Sequence, residues 1–396
     1  MKKTIIKGLL VVVLCFNILH TQSQINNAIK PYTDFLEKEH LSAKDYILSL
    51  FKEKDIVILC ERDHRELTQY NFILDVIKDP YFLENVGVVF AEVGARNLNP
   101  ALNEFLQNDK LSDEEIDAQA LTFQRNCMFP LWEKPNFSFF IKGIQRINKE
   151  TPNNRKIEMY PTDIFYVDGE PTVDNVQKMI VNSMKRDSLM ADYIIAHLED
   201  RNLKSSGQKA LVIMNYRHAY KSALPDDKGE RMIGTGQILF EKYAGRVSNV
   251  MINSYANATT FAAIQEGKWD AAFQLINRED VGFHFENSPF GSDSFDMWVY
   301  ENDAVYKNMF DGFVFYLPIE KQEMEIGVPH LMEDGFYEKL VKRNTLYYEA
   351  YFRLAKVDRE VPPIDKEQMM KLNEISRSKL HTLDVIKSSI NQWLNK

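Results

Sequence analysis

The residues best placed to do chemistry are Glu61 and His64, three apart in Cys60-Glu61-Arg62-Asp63-His64. A carboxylate beside an imidazole fixes its tautomer and raises its basicity, which makes a histidine a general base near neutral pH. Glu92 could orient that imidazole or hold a metal, and His218 supplies a second imidazole. Arg217 offers a cation for an oxyanion or a substrate carboxylate, and Asp163 and Asn215 offer further polar contacts. Glu61, His64, Glu92 and His218 together would also provide N and O ligands of the kind that suit zinc or manganese. A divalent metal is therefore an open option, and no other cofactor is expected. No His-Glu-x-x-His helix and no cysteine cluster supports a metal more directly.

The elements that must position these groups are short aliphatic runs. Ile56-Val57-Ile58-Leu59 runs into Glu61, Val86 to Ala91 runs into Glu92, and Ala210 to Met214 runs into Asn215-Tyr216-Arg217-His218. Continuous Val, Ile and Leu runs mark strands covered on both faces. Ligand crevices of open α/β sheets lie beyond the carboxyl ends of such strands. A short strand from Ile157 to Tyr160 brings Asp163 to the same edge. Further strands are expected at Val247 to Ile252 and Gly312 to Leu317, and helices at Leu67 to Lys78, Asp174 to Leu198 and Ile238 to Ala244. Residues 255 to 300 read as irregular. The order predicts an α/β fold, a mainly parallel central sheet with helices on both faces, a helical insertion at about 98–150 and a helical tail at about 333–396.

Other residues read as structural. Arg62 and Asp63 are expected as exposed turn charges, Cys60 as a packed free thiol, and His197 as packing at a helix end; His284 and His330 receive no role. No Gly-x-Ser-x-Gly elbow is present, and Gly234-Thr235-Gly236 lacks the Lys-Ser/Thr of a phosphate loop.

Residues 1–23 have the charged, apolar and polar regions of a secretory signal peptide, which leaves 24–396 as one α/β domain. The apolar stretch falls short of the roughly 20 residues of a membrane span and contains Lys7 and Asn17, so no stable span is expected after cleavage. Leu14 before Cys15 is bulky where a lipoprotein signal needs a small residue. The expected location is secreted or periplasmic. Two cysteines in the mature chain, Cys60 and Cys127, make no disulfide framework. The net charge of −9, without basic blocks, excludes a nucleic-acid partner and leaves a small-molecule substrate.

These motifs resemble the erythromycin esterase family, within the wider group of Tiki and ChaN-like proteins. That family shows Gly-Glu-x-x-His-Gly after its first strand, a Glu after the second, an Arg-Asp/Glu-x-x-Met-Ala helix, and a strand ending in His-Asn-x-His. Here the matching segments are Cys60 to Arg65, Phe90-Ala91-Glu92, Arg186-Asp187-Ser188-Leu189-Met190-Ala191, and Asn215 to His218. Gly234 to Gly245 and Phe310 to Phe313 resemble later family segments, so the similarity spans most of residues 50–320. The resemblance implies a deep cleft and water attack on an ester or lactone with no covalent intermediate. It assigns His64 as base, Glu61 and Glu92 as its support, and His218 as assistant at the substrate oxygen. Three positions depart from the pattern: Cys60 and Arg65 replace glycines and Asn215 replaces a histidine. Arg65 adds bulk and charge where a glycine backbone could approach a substrate closely. The expected substrate is a small or medium ester, lactone or amide. Two alternatives remain: a non-catalytic pocket for haem or another hydrophobic ligand, and a metal-dependent peptidase of the Tiki kind.

Overall fold

The computed structural model describes residues 27–127, 135–164, 171–200, 209–253, 263–298, 300, 302–379 and 382–395. The expected signal peptide at 1–23 lies outside the described residues. Among the described residues, no helix is long and apolar enough to cross a membrane.

The strands follow the chain as β1 (Ile56–Glu61), β2 (Val88–Ala95), β3 (Glu158–Asp163), β4 (Ala210–Asn215), a small hairpin of β5 (Leu224–Pro225) and β6 (Arg231–Met232), then β7 (Val247–Ile252), β8 (Val281–His284) and β9 (Gly312–Phe315). Seven of them form one sheet in the order β3-β2-β4-β1-β7-β9-β8. All neighbours are parallel except β8 with β9. The β1 register runs from Ile56 opposite Ala210 to Glu61 opposite Asn215.

Alternate residues of each strand face opposite layers. Ile56, Ile58 and Cys60 join one core with Val212, Met214, Ile194 and Leu239. Val57 and Leu59 join the other with Leu211, Ile213, Tyr70, Ile73 and Phe140. Helices therefore cover both faces, and each fully buried aliphatic side chain contributes about 1.5–3 kcal/mol. This is why the central strands read as unbroken apolar runs rather than alternating ones.

Two expectations need correction. The single helix expected over Asp174 to Leu198 is two helices, Val173–Ser183 and Arg186–Glu199. Lys185 leaves the helical region at φ −114°, ψ 19°, and Met184 is largely solvent-exposed. The break lets Arg186 begin a new helix facing buried carboxylates, whose charge-assisted bonds outweigh the few backbone bonds lost. The stretch expected to be irregular at 255–300 contains a helix, Lys268–Leu275, and the antiparallel edge strand β8. Trp269, Phe273, Phe283 and Phe290 pack there as an aromatic layer. The tail holds helices Phe336–Ala355, Lys366–Leu372 and Leu383–Leu394, plus a short strand β11 (Ser376–Ser378) that pairs antiparallel with β10 (Met324–Ile326) just before the tail.

Candidate active site

Strands β3, β2, β4 and β1 are consecutive in the sheet, so their carboxyl ends form one edge. Asp163, Asn215 and Glu61 end their strands at that edge, and Glu92 lies three residues before the end of β2, beside its register break. The register of β2 against β3 shifts between Ala91 and Ala95, an irregularity that re-aims the intervening side chains, Glu92 among them. Gly94 makes it sterically feasible. Its φ is +87°, and a Cβ there would sit 2.7 Å from the Phe137 ring.

Glu61 is buried, and its Oε1 lies 3.0 Å from His64 Nδ1. An ionised carboxylate only accepts, so Nδ1 carries the proton and Nε2 is left as the basic nitrogen. Asn136 donates to the same Glu61 oxygen at 3.3 Å. The loop holding His64 is tied down by Gln69, whose Oε1 accepts from Arg62 N at 3.0 Å and whose Nε2 donates to Asp63 O at 2.8 Å and Glu66 O at 2.9 Å.

The second half of the site centres on Arg186. Its Nε and Nη2 donate to the two Asp163 oxygens at 2.7 and 2.9 Å, and Nη2 also donates to Glu92 Oε1 at 2.9 Å. Glu92 Oε2 accepts the Asn215 N–H at 2.6 Å. His218 Nε2 lies 3.1 Å from Arg186 Nη1 and 3.5 Å from Glu92 Oε1, while its Nδ1 meets Asp187 Oδ1 at 2.8 Å. Thr235 completes the chain by donating from N and Oγ1 to Asp187 Oδ1 at 2.8 and 2.9 Å. The neighbouring Gly236 packs against the Ala219 backbone, which a Cβ there would approach to 2.7 Å.

These contacts set the protonation states. Burial acts to raise the Glu92 carboxyl, but His218, Arg186, His64 and the Asn215 N–H together hold it down to about 2. His64 and His218 thus both favour the charged form of Glu92. Burial opposes charge on His218, yet Glu92 and Asp187 outweigh it and raise its pKa. Asp187 stays below its ordinary value despite burial because His218 and Thr235 bond it. Burial dominates at Asp163 and raises it against the pull of Arg186.

Of the residues expected at the site, Glu61 and His64 form one pair, and Glu92, Asp163, Asn215 and His218 belong to the adjoining network. Arg217 joins it only through its backbone N–H, which donates to Asn215 Oδ1 at 3.4 Å, and its side chain does not. It is exposed, with its guanidinium 5.9 Å above the Trp298 ring. Arg62 and Asp63 are not exposed turn charges. Arg62 is 6% exposed and lies 4.7 Å over the Tyr216 ring, and Asp63 accepts from Arg65 N, Nε and Nη2 at 2.8, 2.9 and 2.6 Å. The charge of Arg65 is thereby turned back onto its own loop. Cys60 is buried and free, with burial pushing its thiol up to about 12, so it is no nucleophile at neutral pH. His197 packs at its helix end, against Tyr193, Tyr160 and Phe90.

Among the described residues, no three His, Cys, Asp or Glu side chains converge as a metal-ligand set. Of the four residues expected as ligands, Glu92 is instead bonded by the Arg186 guanidinium, which also holds Asp163. The residues whose roles sequence reasoning missed are Arg186, Asp187, Asn136 and Thr235. The Arg-Asp-x-x-Met-Ala motif was the available signal for the first two.

Behind the His64 loop, Glu66 is buried and accepts from Gln69 N, Tyr316 OH and the Thr68 hydroxyl. Its backbone bridges to Met324, and Glu325 N donates to Arg65 O at 2.7 Å, so β10 braces the loop. Burial pushes the Glu66 carboxyl up to about 7, against the hydrogen bonds that favour its charged form. Because the folded-state value is raised above the unfolded one, the group's stabilising contribution is complete below about pH 4.5 and is lost as pH rises through about 7. Urea unfolding of the native chain and Glu66→Gln between pH 5 and 8 checks this. Stability of the native chain should decline across that range, and the variant should decline less steeply; parallel curves would refute it. Asp270 also rises to about 7 through burial, so the difference between the two proteins is the informative quantity.

No protein-family profile matches the sequence. No curated protein matches it either. Among solved structures, the chain is similar to a succinoglycan biosynthesis protein, at 12% identity and TM-score 0.49 over 74% of this chain and 97% of that one. It is similar to an erythromycin esterase mutant in its open conformation, at 10% identity and TM-score 0.46 over 68% and 91%. It is also similar to ChaN of Campylobacter jejuni, solved with cofacial haem, at 18% identity and TM-score 0.35 over 56% and 89%. Likeness at these identities bears on the fold alone, and the chemistry of the site stands on the residues of this chain.

Proposed function

We propose that this chain is a hydrolase that uses His64 to activate water against an ester, lactone or amide. The observation that carries the reading is the Glu61–His64 pair, held at 3.0 Å by a buried carboxylate at the edge where three neighbouring strands deliver their own polar groups. Glu61 fixes the Nδ1–H tautomer, and His64 Nε2 takes a proton from water as its oxygen attacks the carbonyl carbon. The tetrahedral oxyanion is stabilised by the charge that the raised pKa of His218 favours, acting through space, since both its ring nitrogens already face Asp187, Arg186 and Glu92. Collapse breaks the bond to the leaving oxygen or nitrogen, and His64 returns the proton to it. Water itself is the nucleophile, so no acyl group passes to the chain, and the buried Cys60 thiol takes no part.

Residues 1–23 would direct the chain to a secreted or periplasmic location, where the substrate is a small molecule. The test is turnover of a panel of chromogenic esters, lactones and anilides by the purified chain. Hydrolysis above the uncatalysed rate supports the reading. No turnover, together with a Soret band on haem titration, favours the ligand-binding alternative instead.

A further inference from the structure

Asn136 opens the helix Asn136–Glu150, on the layer opposite the Arg186 helix, and is fully buried. Its Nδ2 donates to Glu61 Oε1, the oxygen that also meets His64 Nδ1. Its Oδ1 is buried without a hydrogen-bond partner. The amide orientation follows from Glu61, because a carboxylate accepts and the opposite flip would set two acceptors face to face. An orphaned buried carbonyl carries a penalty of about 1–3 kcal/mol, so a donor that enters from outside the protein is the natural partner. The next residue, Phe137, packs against Gly94, two positions from Glu92. The helix start is therefore seated against both halves of the site.

We propose that Asn136 is a positioning residue for the Glu61–His64 pair, its amide N–H holding Glu61 in place and its carbonyl accepting a hydrogen bond from a water held beside that pair. The rate effects below rest on the hydrolase reading; the spectroscopic effect does not. Asn136 thus acts through Glu61 and the ordered water rather than on substrate itself.

The experiment compares the native chain with Asn136→Ala and the near-isosteric Asn136→Asp. On an ester the native chain turns over, Asn136→Ala should lower kcat about tenfold with KM within about twofold, as expected for one lost hydrogen bond to a charged group. In Asn136→Asp the introduced carboxyl faces Glu61 and His64, so kcat relative to the native chain at the same pH should be lowest at pH 8 and recover toward pH 5, where the carboxyl regains a proton to donate. A core-packing role would give no such pH-dependent recovery. Independently of turnover, protein labelled with ¹⁵N-histidine should show a His64 Nδ1–H signal protected in the native chain and exchanging about tenfold faster in Asn136→Ala. If no ester is hydrolysed, the hydrolase reading fails while this signal still tests the positioning role. Unchanged exchange and unchanged kcat in both variants would overturn the proposal. If the buried carboxyl set against Glu61 keeps Asn136→Asp from folding, Asn136→Ala alone decides, and unchanged exchange and kcat in it overturn the proposal.

Discussion

His64→Asn is expected to lower kcat/KM on a turned-over ester by about 10²- to 10⁴-fold while leaving stability within about 1 kcal/mol of the native chain. The rate loss follows because His64 Nε2 is the basic nitrogen of the pair with Glu61. The small stability change follows because an Asn amide at position 64 keeps a donor for the buried Glu61 carboxylate, although the imidazole it replaces is itself only 13% exposed. His218→Asn should lose less activity, since Glu92 keeps its bonds to Arg186 and the Asn215 N–H when that ring is removed. Steady-state kinetics with urea unfolding on both variants separates the two effects. Full activity in His64→Asn, or its failure to fold, would make His64 a structural residue.

Arg186→Met should be the most destabilising single change at the site. Asp163 and Glu92 are 2% and 3% exposed and share this one guanidinium. Removing it leaves two buried carboxylates facing each other, a situation that costs about 3–5 kcal/mol when one partner of a buried pair is lost. The Arg186 side chain is 28% exposed, so solvent relaxation puts the expected value at the lower end of that range. Asp163, already raised by burial, would take up a proton first, so the loss should shrink as pH falls. Arg186→Lys keeps the charge but not the fork and should recover part of the stability. A loss below about 1 kcal/mol in Arg186→Met would show that the carboxylates do not depend on it.

Much of this arrangement is legible in the chain. The apolar runs before Glu61, Glu92 and Asn215 identify buried parallel strands, because both faces of such strands must be covered. Parallel strands share a carboxyl edge, so Glu61, His64, Glu92, Asp163 and His218 can be grouped before any coordinates. The break at Lys185 is not legible, since no glycine or proline marks it and apolar spacing continues through Met184. It arises from long-range ion pairs of Arg186, which local periodicity does not register. Asn136 is hidden for the same reason, lying 75 residues from Glu61 in sequence. Arg62 reads like any turn charge. Its burial over Tyr216 depends on the adjacency of β1 and β4, a property of topology rather than of the local sequence. Strand β8 escapes notice because four residues at an antiparallel edge give too short a pattern.

The most direct test of His64-activated water attack is ester turnover in ¹⁸O-labelled water, with the product acid and the intact chain weighed by mass spectrometry under single-turnover conditions. Direct attack predicts one ¹⁸O in the product acid, no acyl adduct on the chain at any time, and loss of labelled product in His64→Asn. An acyl adduct that forms and decays at the rate of turnover, or labelled product undiminished in His64→Asn, would contradict the account.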